Sequence, residues 1–248
     1  MKKERNPAKI SFRKKIALNL YTQYRKNVTQ LHELNYIFWE CTLRCNLNCV
    51  HCGSDCLKQS ELPDMPLTDF LSALDSAATI VNPTKTTVAL TGGEPLMRAD
   101  LEECGREIMK RGFPWGMVTN GYMLNEQKLH SLIRAGLRTI TVSLDGLNDT
   151  HNWFRGNDKS YEKSLRAVEL IARSGLTYDV ATSVFQDNIS QLDELYNILL
   201  GLNVKHWRLF TIFPRGRASE NEKLKPDGIL LKKRSEERRV GKECRSRW

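Results

Sequence analysis

From residue 36 onward, short apolar runs alternate with longer segments in which apolar residues recur at helical spacing. The short runs are rich in β-branched and aromatic residues, which is typical of buried strands. Most of the longer segments contain or end at a glycine that suits a helix stop. Six strands are predicted, at 36–41, 86–93, 115–120, 139–146, 178–185 and 206–213. Five helices are predicted between them, at 67–80, 100–112, 125–136, 160–175 and 190–203.

This order predicts serial βαβ units, with parallel strands and right-handed crossovers. An open doubly wound sheet and a curved, barrel-type sheet, complete or partial, both fit the periodicity. The polar motifs are expected to gather at one end of the sheet, because each begins at the carboxyl end of a predicted strand. They are CTLRCNLNCVHC (41–52), TGGEP (91–95), TNG (119–121), SLDG (143–146) and FPRGRA (213–218).

The composition is that of an ordinary soluble protein of 248 residues, with 40% apolar and 27% charged residues. No apolar run approaches the ~20 residues that a membrane helix needs. The basic N-terminus lacks the apolar core of a secretory signal. We therefore expect no membrane span and a cytoplasmic protein, whose thiols stay reduced and whose clustered cysteines bind metal.

The net charge of +9 is concentrated at the two ends of the chain. Residues 1–35 carry nine Lys/Arg against two Asp/Glu, and residues 234–248 carry six against three. The body, 36–233, has a net charge of −1. We therefore expect no nucleic-acid partner, and we interpret 1–35 as a basic, helix-like extension.

The last fifteen residues, 234–248, match codon by codon the translation of a common sequencing adapter. We expect this tail, with its Cys244, to be non-native. Residues 219–233 would then begin a C-terminal extension whose natural continuation after Lys233 differs.

Five of the seven cysteines stand between Trp39 and Cys56. Disulfides do not suit the compartment, and a zinc ribbon needs a second CxxC pair. Three thiolates at Cys45-x3-Cys49-x2-Cys52 can surround three corners of an iron–sulfur cubane and leave one iron open. We interpret the cysteines outside this register, Cys41, Cys56 and Cys104, as packed or merely adjacent thiols.

CNLNCVHC (45–52), followed by TGGEP about 40 residues later, resembles the radical S-adenosylmethionine (SAM) superfamily. TNG, SLDG with HNWFRG (151–156), and PRGRA resemble its subgroup that modifies peptides and proteins and carries a C-terminal SPASM extension, such as anaerobic sulfatase-maturing enzymes. The resemblance covers 36–218. It implies an α/β fold, a partial (β/α)6 TIM-type barrel.

The resemblance implies a [4Fe–4S] cluster on Cys45, Cys49 and Cys52, with SAM on the fourth iron. Reductive cleavage of SAM would give a 5′-deoxyadenosyl radical that abstracts hydrogen from a substrate. Side chains and backbone implied to contact the cofactor are His51 at the adenine, Gly92, Gly93, Glu94 and Pro95 at the methionyl amino group, Ser143 at the ribose or carboxylate, and Arg155 at the carboxylate. No catalytic base is assigned.

The implied partners are a peptide or protein substrate and an external low-potential reductant of the flavodoxin or ferredoxin type. Auxiliary [4Fe–4S] clusters would lie in the C-terminal region beyond this chain. Two alternatives stay open. One is a small-molecule enzyme like the cyclase of molybdenum-cofactor biosynthesis, and the other is a non-enzymatic iron–sulfur or zinc binding module.

Overall fold

The structure, a computed structural model, describes residues 11–31, 33–224 and 228. The predicted non-native tail and most of the predicted C-terminal extension therefore lie outside the described residues. The chain divides into two units, 1–35 and 36–248. The first contains helix α1, Phe12–Leu31, where a basic helix-like segment was predicted. In the described part of the chain, no helix combines the length and apolar character needed to cross a membrane.

The second unit alternates strands and helices. The strands are β1 Tyr36–Thr42, β2 Thr87–Gly92, β3 Trp115–Thr119, β4 Leu137–Ser143, β5 Thr177–Val184 and β6 Trp207–Thr211. The helices are α2 Leu67–Ala78, α3 Leu101–Lys110, α4 Glu126–Arg134, α5 Asn148–Arg155, α6 Ser160–Ala172 and α7 Leu192–Gly201.

The six strands form one sheet in sequence order, and every neighbouring pair is parallel. Among the described residues, β1 and β6 do not pair with each other, so the sheet stays open. Each crossover contains at least one helix, as parallel neighbours require. The predicted α/β fold, a partial (β/α)6 barrel, is confirmed.

The two faces of the sheet differ because side chains alternate along each strand. One face is apolar and packs against the helices; there Trp39 of β1 stacks on Phe70 of α2 with ring centroids 3.8 Å apart. The other face carries small and polar residues such as Ala89, Gly116 and Thr139, which the register aligns in one row. The carboxyl end of this second face holds the cavity described below.

Helix α5 was not predicted, and its residues had been interpreted only as a motif after SLDG. It has eight residues and no side-chain cap at its start, so it lacks the signals of a longer helix. Its end is marked by Gly156, which adopts the left-handed conformation at φ 65°. The helix matters because it turns His151 and Arg155 inward, where both are buried.

Candidate functional site

The segment 42–57, here called the thiol loop, is closed by backbone contacts at its two ends. Arg44 and Leu57 form a parallel bridge, and the Cys45 N–H donates to the Leu57 carbonyl across 2.7 Å. The thiols of Cys45, Cys49 and Cys52 are free. The loop follows β1 directly, so these thiols lie at the carboxyl edge of the sheet.

A cavity of about 240 Å³ opens between the thiol loop and the strand ends. It brings together most of the predicted site residues. From the thiol loop come Cys45, Cys49, His51, Cys52 and Cys56; from the strand ends and beyond come Gly92, Gly93, Thr119, Asn120, Ser143, Arg155 and Arg217. Glu94 and Pro95 are buried and do not line the cavity.

The two glycines of TGGEP lie against the backbone of the thiol loop. The Gly93 N–H donates to the Thr42 carbonyl at 2.8 Å, and the Glu94 N–H donates to the Arg44 carbonyl at 2.9 Å. A Cβ on Gly92 or on Gly93 would stand 2.2 Å from the carbonyl oxygen of Thr42 or Arg44, respectively. Glycine is therefore required here to seat the thiol loop, whatever else approaches these residues.

The carboxylate of Glu94 joins the ends of β2 and β3 from behind the cavity. Its Oε1 accepts from the Thr119 hydroxyl at 2.7 Å and from the Leu96 N–H at 3.1 Å, and its Oε2 accepts from the Asn120 N–H at 2.8 Å. Burial raises the pKa of Glu94, although these three donors act to lower it. Pro95 follows as the first residue of a buried 3-10 turn.

Asn120 connects Glu94 to the thiol loop. Its Nδ2 donates to Asn46 Oδ1 at 2.9 Å and lies 3.9 Å from Cys45 Sγ. Its backbone carbonyl accepts from Ser164 Oγ of α6 at 2.7 Å. The end of β3 is thus fixed to the thiol loop on one side and to α6 on the other.

Arg155 is buried and forms an ion pair with Asp145. Its Nε and Nη2 donate to Asp145 Oδ2 at 2.7 and 2.5 Å, and its Nη1 lies 3.8 Å from Cys49 Sγ. Burial acts to lower the pKa of Arg155, but the charge of Asp145 raises it. Burial acts to raise the pKa of Asp145, but the charge of Arg155 lowers it. A guanidinium cation therefore faces the thiol loop at neutral pH.

Two histidines flank this ion pair, the buried His151 and the half-buried His51. His151 Nδ1 accepts from the Asp145 N–H at 3.0 Å, and its Nε2 lies 3.2 Å from Ser160 Oγ. His51 stacks on Phe154 with ring centroids 3.8 Å apart. Burial lowers the pKa of His51 to about 3 and that of His151 to about 4, so both rings are neutral at physiological pH. Sequence reasoning named no partner for His151.

Arg217 was missed as a site residue, although the strand-end motif FPRGRA pointed to its segment. Its Nε donates to the Cys49 carbonyl at 2.8 Å, and its own N–H donates to the Cys52 carbonyl at 3.1 Å. A Cβ on Gly216, which has φ 55°, would stand 2.4 Å from that Cys52 carbonyl. The segment after β6 therefore packs onto the thiol loop more than 150 residues away in sequence.

The donors of the cavity are soft thiols, which suit zinc, copper(I) and iron–sulfur clusters. Within the described residues, no three His, Cys, Asp or Glu side chains converge on a point that could hold one metal ion. The thiols instead surround a cavity. Soft thiols around one cavity are compatible with an iron–sulfur cluster.

Comparisons with known proteins identify a family and relatives of this chain. Residues 39–199 match the Radical SAM superfamily. The chain is 30% identical over 191 residues to a protein named AdoMet-dependent heme synthase from Methanosarcina barkeri, covering 77% of this chain and 54% of that protein. It is 26% identical over 184 residues to one named Fe-coproporphyrin III synthase from the same organism, covering 74% and 45%. The chain spans about half the length of the curated relatives it matches.

Solved structures share the fold at low sequence identity. SuiB of Streptococcus suis, solved bound to S-adenosylmethionine, matches with a TM-score of 0.66 and 14% identity, covering 91% of this chain and 54% of that one. anSMEcpe, solved with bound AdoMet, matches with a TM-score of 0.62 and 20% identity, covering 73% and 52%.

The role given to Glu94 predicts the effect of Glu94→Gln. The amide keeps the size of the side chain. Its NH2 group, however, cannot accept a hydrogen bond and would face Thr119, Leu96 or Asn120, which now donate to the carboxylate. We expect the free energy of unfolding to fall by about 1–3 kcal/mol, because a buried donor loses its acceptor. Urea denaturation of the metal-free chain measures this. Glu103→Gln on the exposed face of α3 is the control, and equal stability of both variants would contradict the role.

Proposed function

The chain belongs to the radical SAM superfamily, and from that premise we propose that Cys45, Cys49 and Cys52 hold a [4Fe–4S] cluster whose open iron binds SAM. The observation that carries this proposal is the single cavity on which the three thiols, Gly92–Gly93 and Arg155 meet. When bound, the two cofactors supply a 5′-deoxyadenosyl radical that abstracts hydrogen from a substrate.

The residues of this chain would hold and shield the cofactors. Arg155 is preorganised by Asp145, which occupies its Nε and Nη2 and leaves Nη1 toward the cavity. We propose that Nη1, which also lies 3.8 Å from Cys49 Sγ, takes the SAM carboxylate as a charge-assisted pair. Ser143 and the neutral His51 line the same cavity and would contact the ribose and adenine.

For the substrate, we propose a small molecule of the tetrapyrrole class rather than the peptide predicted above. The relatives with the higher sequence identity are named for the synthesis of heme and of Fe-coproporphyrin III, whereas SuiB and anSMEcpe support the fold alone. Peptide modification and a SPASM extension stay predictions without that support. The alternative of a small-molecule radical SAM enzyme is the one favoured.

The second face of the sheet, whose carboxyl end holds the cavity, carries side chains that suit such a substrate. Ser143, Ala181 and Arg208 lie in one row across β4, β5 and β6. The Arg208 side chain is 52% exposed, pairs with Asp179 and lies over the Phe210 ring at 5.3 Å. Phe210 itself is 44% exposed. A cation on an aromatic ring, in the same row as the cavity-lining Ser143, suits a flat ring system with carboxylate groups.

An external low-potential reductant of the flavodoxin or ferredoxin type would supply the electron. We place the reaction in the cytoplasm, because reduced thiols are required to load iron. Auxiliary clusters remain an expectation for sequence beyond this chain.

Anaerobic reconstitution with iron and sulfide tests the cofactor assignment. We expect about four irons per chain and, with dithionite and SAM, release of 5′-deoxyadenosine and methionine. Single Ala variants of Cys45, Cys49 and Cys52 should lose both the cluster and the cleavage, whereas Cys104→Ala, buried in α3, should keep both. A full cluster without cleavage, or a normal cluster in Cys45→Ala, would contradict the proposal.

Binding of Fe-coproporphyrin III tests the substrate class. We expect a saturable shift of its absorption band on the reconstituted chain, weakened about tenfold by Arg208→Gln, because a charged hydrogen bond contributes roughly 1.5 kcal/mol. Arg138→Gln is the control, since Arg138 is an exposed cation near the amino end of β4 and lies outside the row that contains Arg208. Absent binding, or equal weakening in both variants, would count against a tetrapyrrole on this face.

A further inference from the structure

We propose that Cys56 is a fourth thiol ligand, which holds the open iron of the cluster while no SAM is bound. The inference rests on the proposed cluster and deepens it. Sequence spacing had set Cys56 aside as a bystander because it falls outside the CxxxCxxC register. The structure places it on the cavity together with the three register cysteines.

Cys56 lies beside two of the other thiols. Its N–H donates to Cys52 Sγ across 3.4 Å. Its neighbour Leu57 accepts from the Cys45 N–H, so the closure of the thiol loop brings Cys56 next to Cys45 as well. The residue is only 3% exposed, and its Sγ lies 3.8 Å from the Ser54 carbonyl. Cys56 is therefore held among the thiols that line the cavity.

The turn before Cys56 has an unusual backbone. Asp55 has φ 49° and is one of two described non-glycine residues with positive φ. A left-handed conformation costs a residue with a side chain about 1 kcal/mol and is found most often where the surrounding structure imposes it. Here it turns the chain back so that Cys56 reaches the cavity rather than continuing away from it.

Arg217 fixes this turn from outside. Its Nη1 pairs with Asp55 Oδ1 at 2.5 Å, and Nη1 and Nη2 both lie 3.3 Å from the Cys56 carbonyl. The same guanidinium bonds the Cys49 carbonyl. One side chain thus sets the spacing between a register cysteine and Cys56.

The other two described cysteines provide the contrast. Cys41 and Cys104 are fully buried, but neither lines the cavity. Cys41 instead donates its thiol to the Thr91 carbonyl at 3.4 Å. Among the described cysteines, Cys56 alone combines access to the cavity with a position outside the register.

A thiolate from Cys56 would complete four-sulfur coordination and protect the cluster from losing an iron. Binding of SAM would break the bond between this sulfur and iron and form bonds from the amino and carboxylate groups. The proton released by the ammonium group would pass to the Cys56 thiolate, and no electron would move. Cys56 would thus be a ligand that leaves the iron when SAM binds, and it would take no part in cleaving SAM.

Mössbauer spectroscopy of the reconstituted full chain tests this with Cys56→Ala. Without SAM, we expect four sulfur-coordinated irons in the wild type and one iron of distinct coordination in the variant. With SAM, the two spectra should coincide. The variant should also form the three-iron species several-fold faster under mild oxidation. It should bind SAM more tightly, by about tenfold if a tenth of wild-type chains are uncapped.

Cys41→Ala is the matched control, and it should behave as the wild type in every readout. Cys56→Ser covers the case in which the Ala variant fails to assemble, because its oxygen should give a spectrum distinct from that of four thiolates. Identical SAM-free spectra for the wild type and a Cys56 variant would overturn the inference while leaving the cluster intact. A wild-type chain that assembles no cluster would overturn the proposed function itself.

Discussion

The site depends on the backbone contact between the first residues of the thiol loop and the Gly92–Gly93 segment. The N–H groups of Gly93 and Glu94 donate to the Thr42 and Arg44 carbonyls, and a Cβ on Gly92 or Gly93 would occupy the space of those oxygens. This contact extends the pairing of β1 with β2 past the strand ends. It therefore transmits the rigidity of the sheet to the start of the thiol loop.

Buried charges and polar groups then fix the loop from its other sides. Glu94 joins β2 to β3, Asp145 orients Arg155 toward Cys49, and Arg217 bonds carbonyls of the loop from beyond β6. Glu94, Asp145 and Arg217 each have hydrogen-bond partners, which lowers the cost of removing them from water. The positions of the thiols are thus set by contacts from several strand ends, which is the preorganisation that a binding site needs.

Local signals predicted the strands, the parallel sheet and the three register cysteines. The strand positions came from apolar runs, and the cysteines came from spacing that few other sites share. Helix α5 escaped because it is short and uncapped, and Arg217 escaped because its contacts to Cys49 and Cys52 exist only in the folded chain. Spacing alone also assigned Cys56 outside the site, whereas the left-handed turn at Asp55 brings it to the cavity. The spacing of cysteines describes only their order in the sequence. Which sulfur atoms can bind the same group depends on where the turns of the folded chain place them.

On the proposed function, the thiol loop presents a cluster with one iron available to SAM. Electron–nuclear double resonance of the reduced, reconstituted chain tests this directly, using SAM labelled at its amino nitrogen and carboxylate carbon. We expect hyperfine coupling of both labels to the cluster, because the amino and carboxylate groups of SAM would both be bonded to iron. A reduced cluster whose resonance is unchanged by saturating SAM would contradict it.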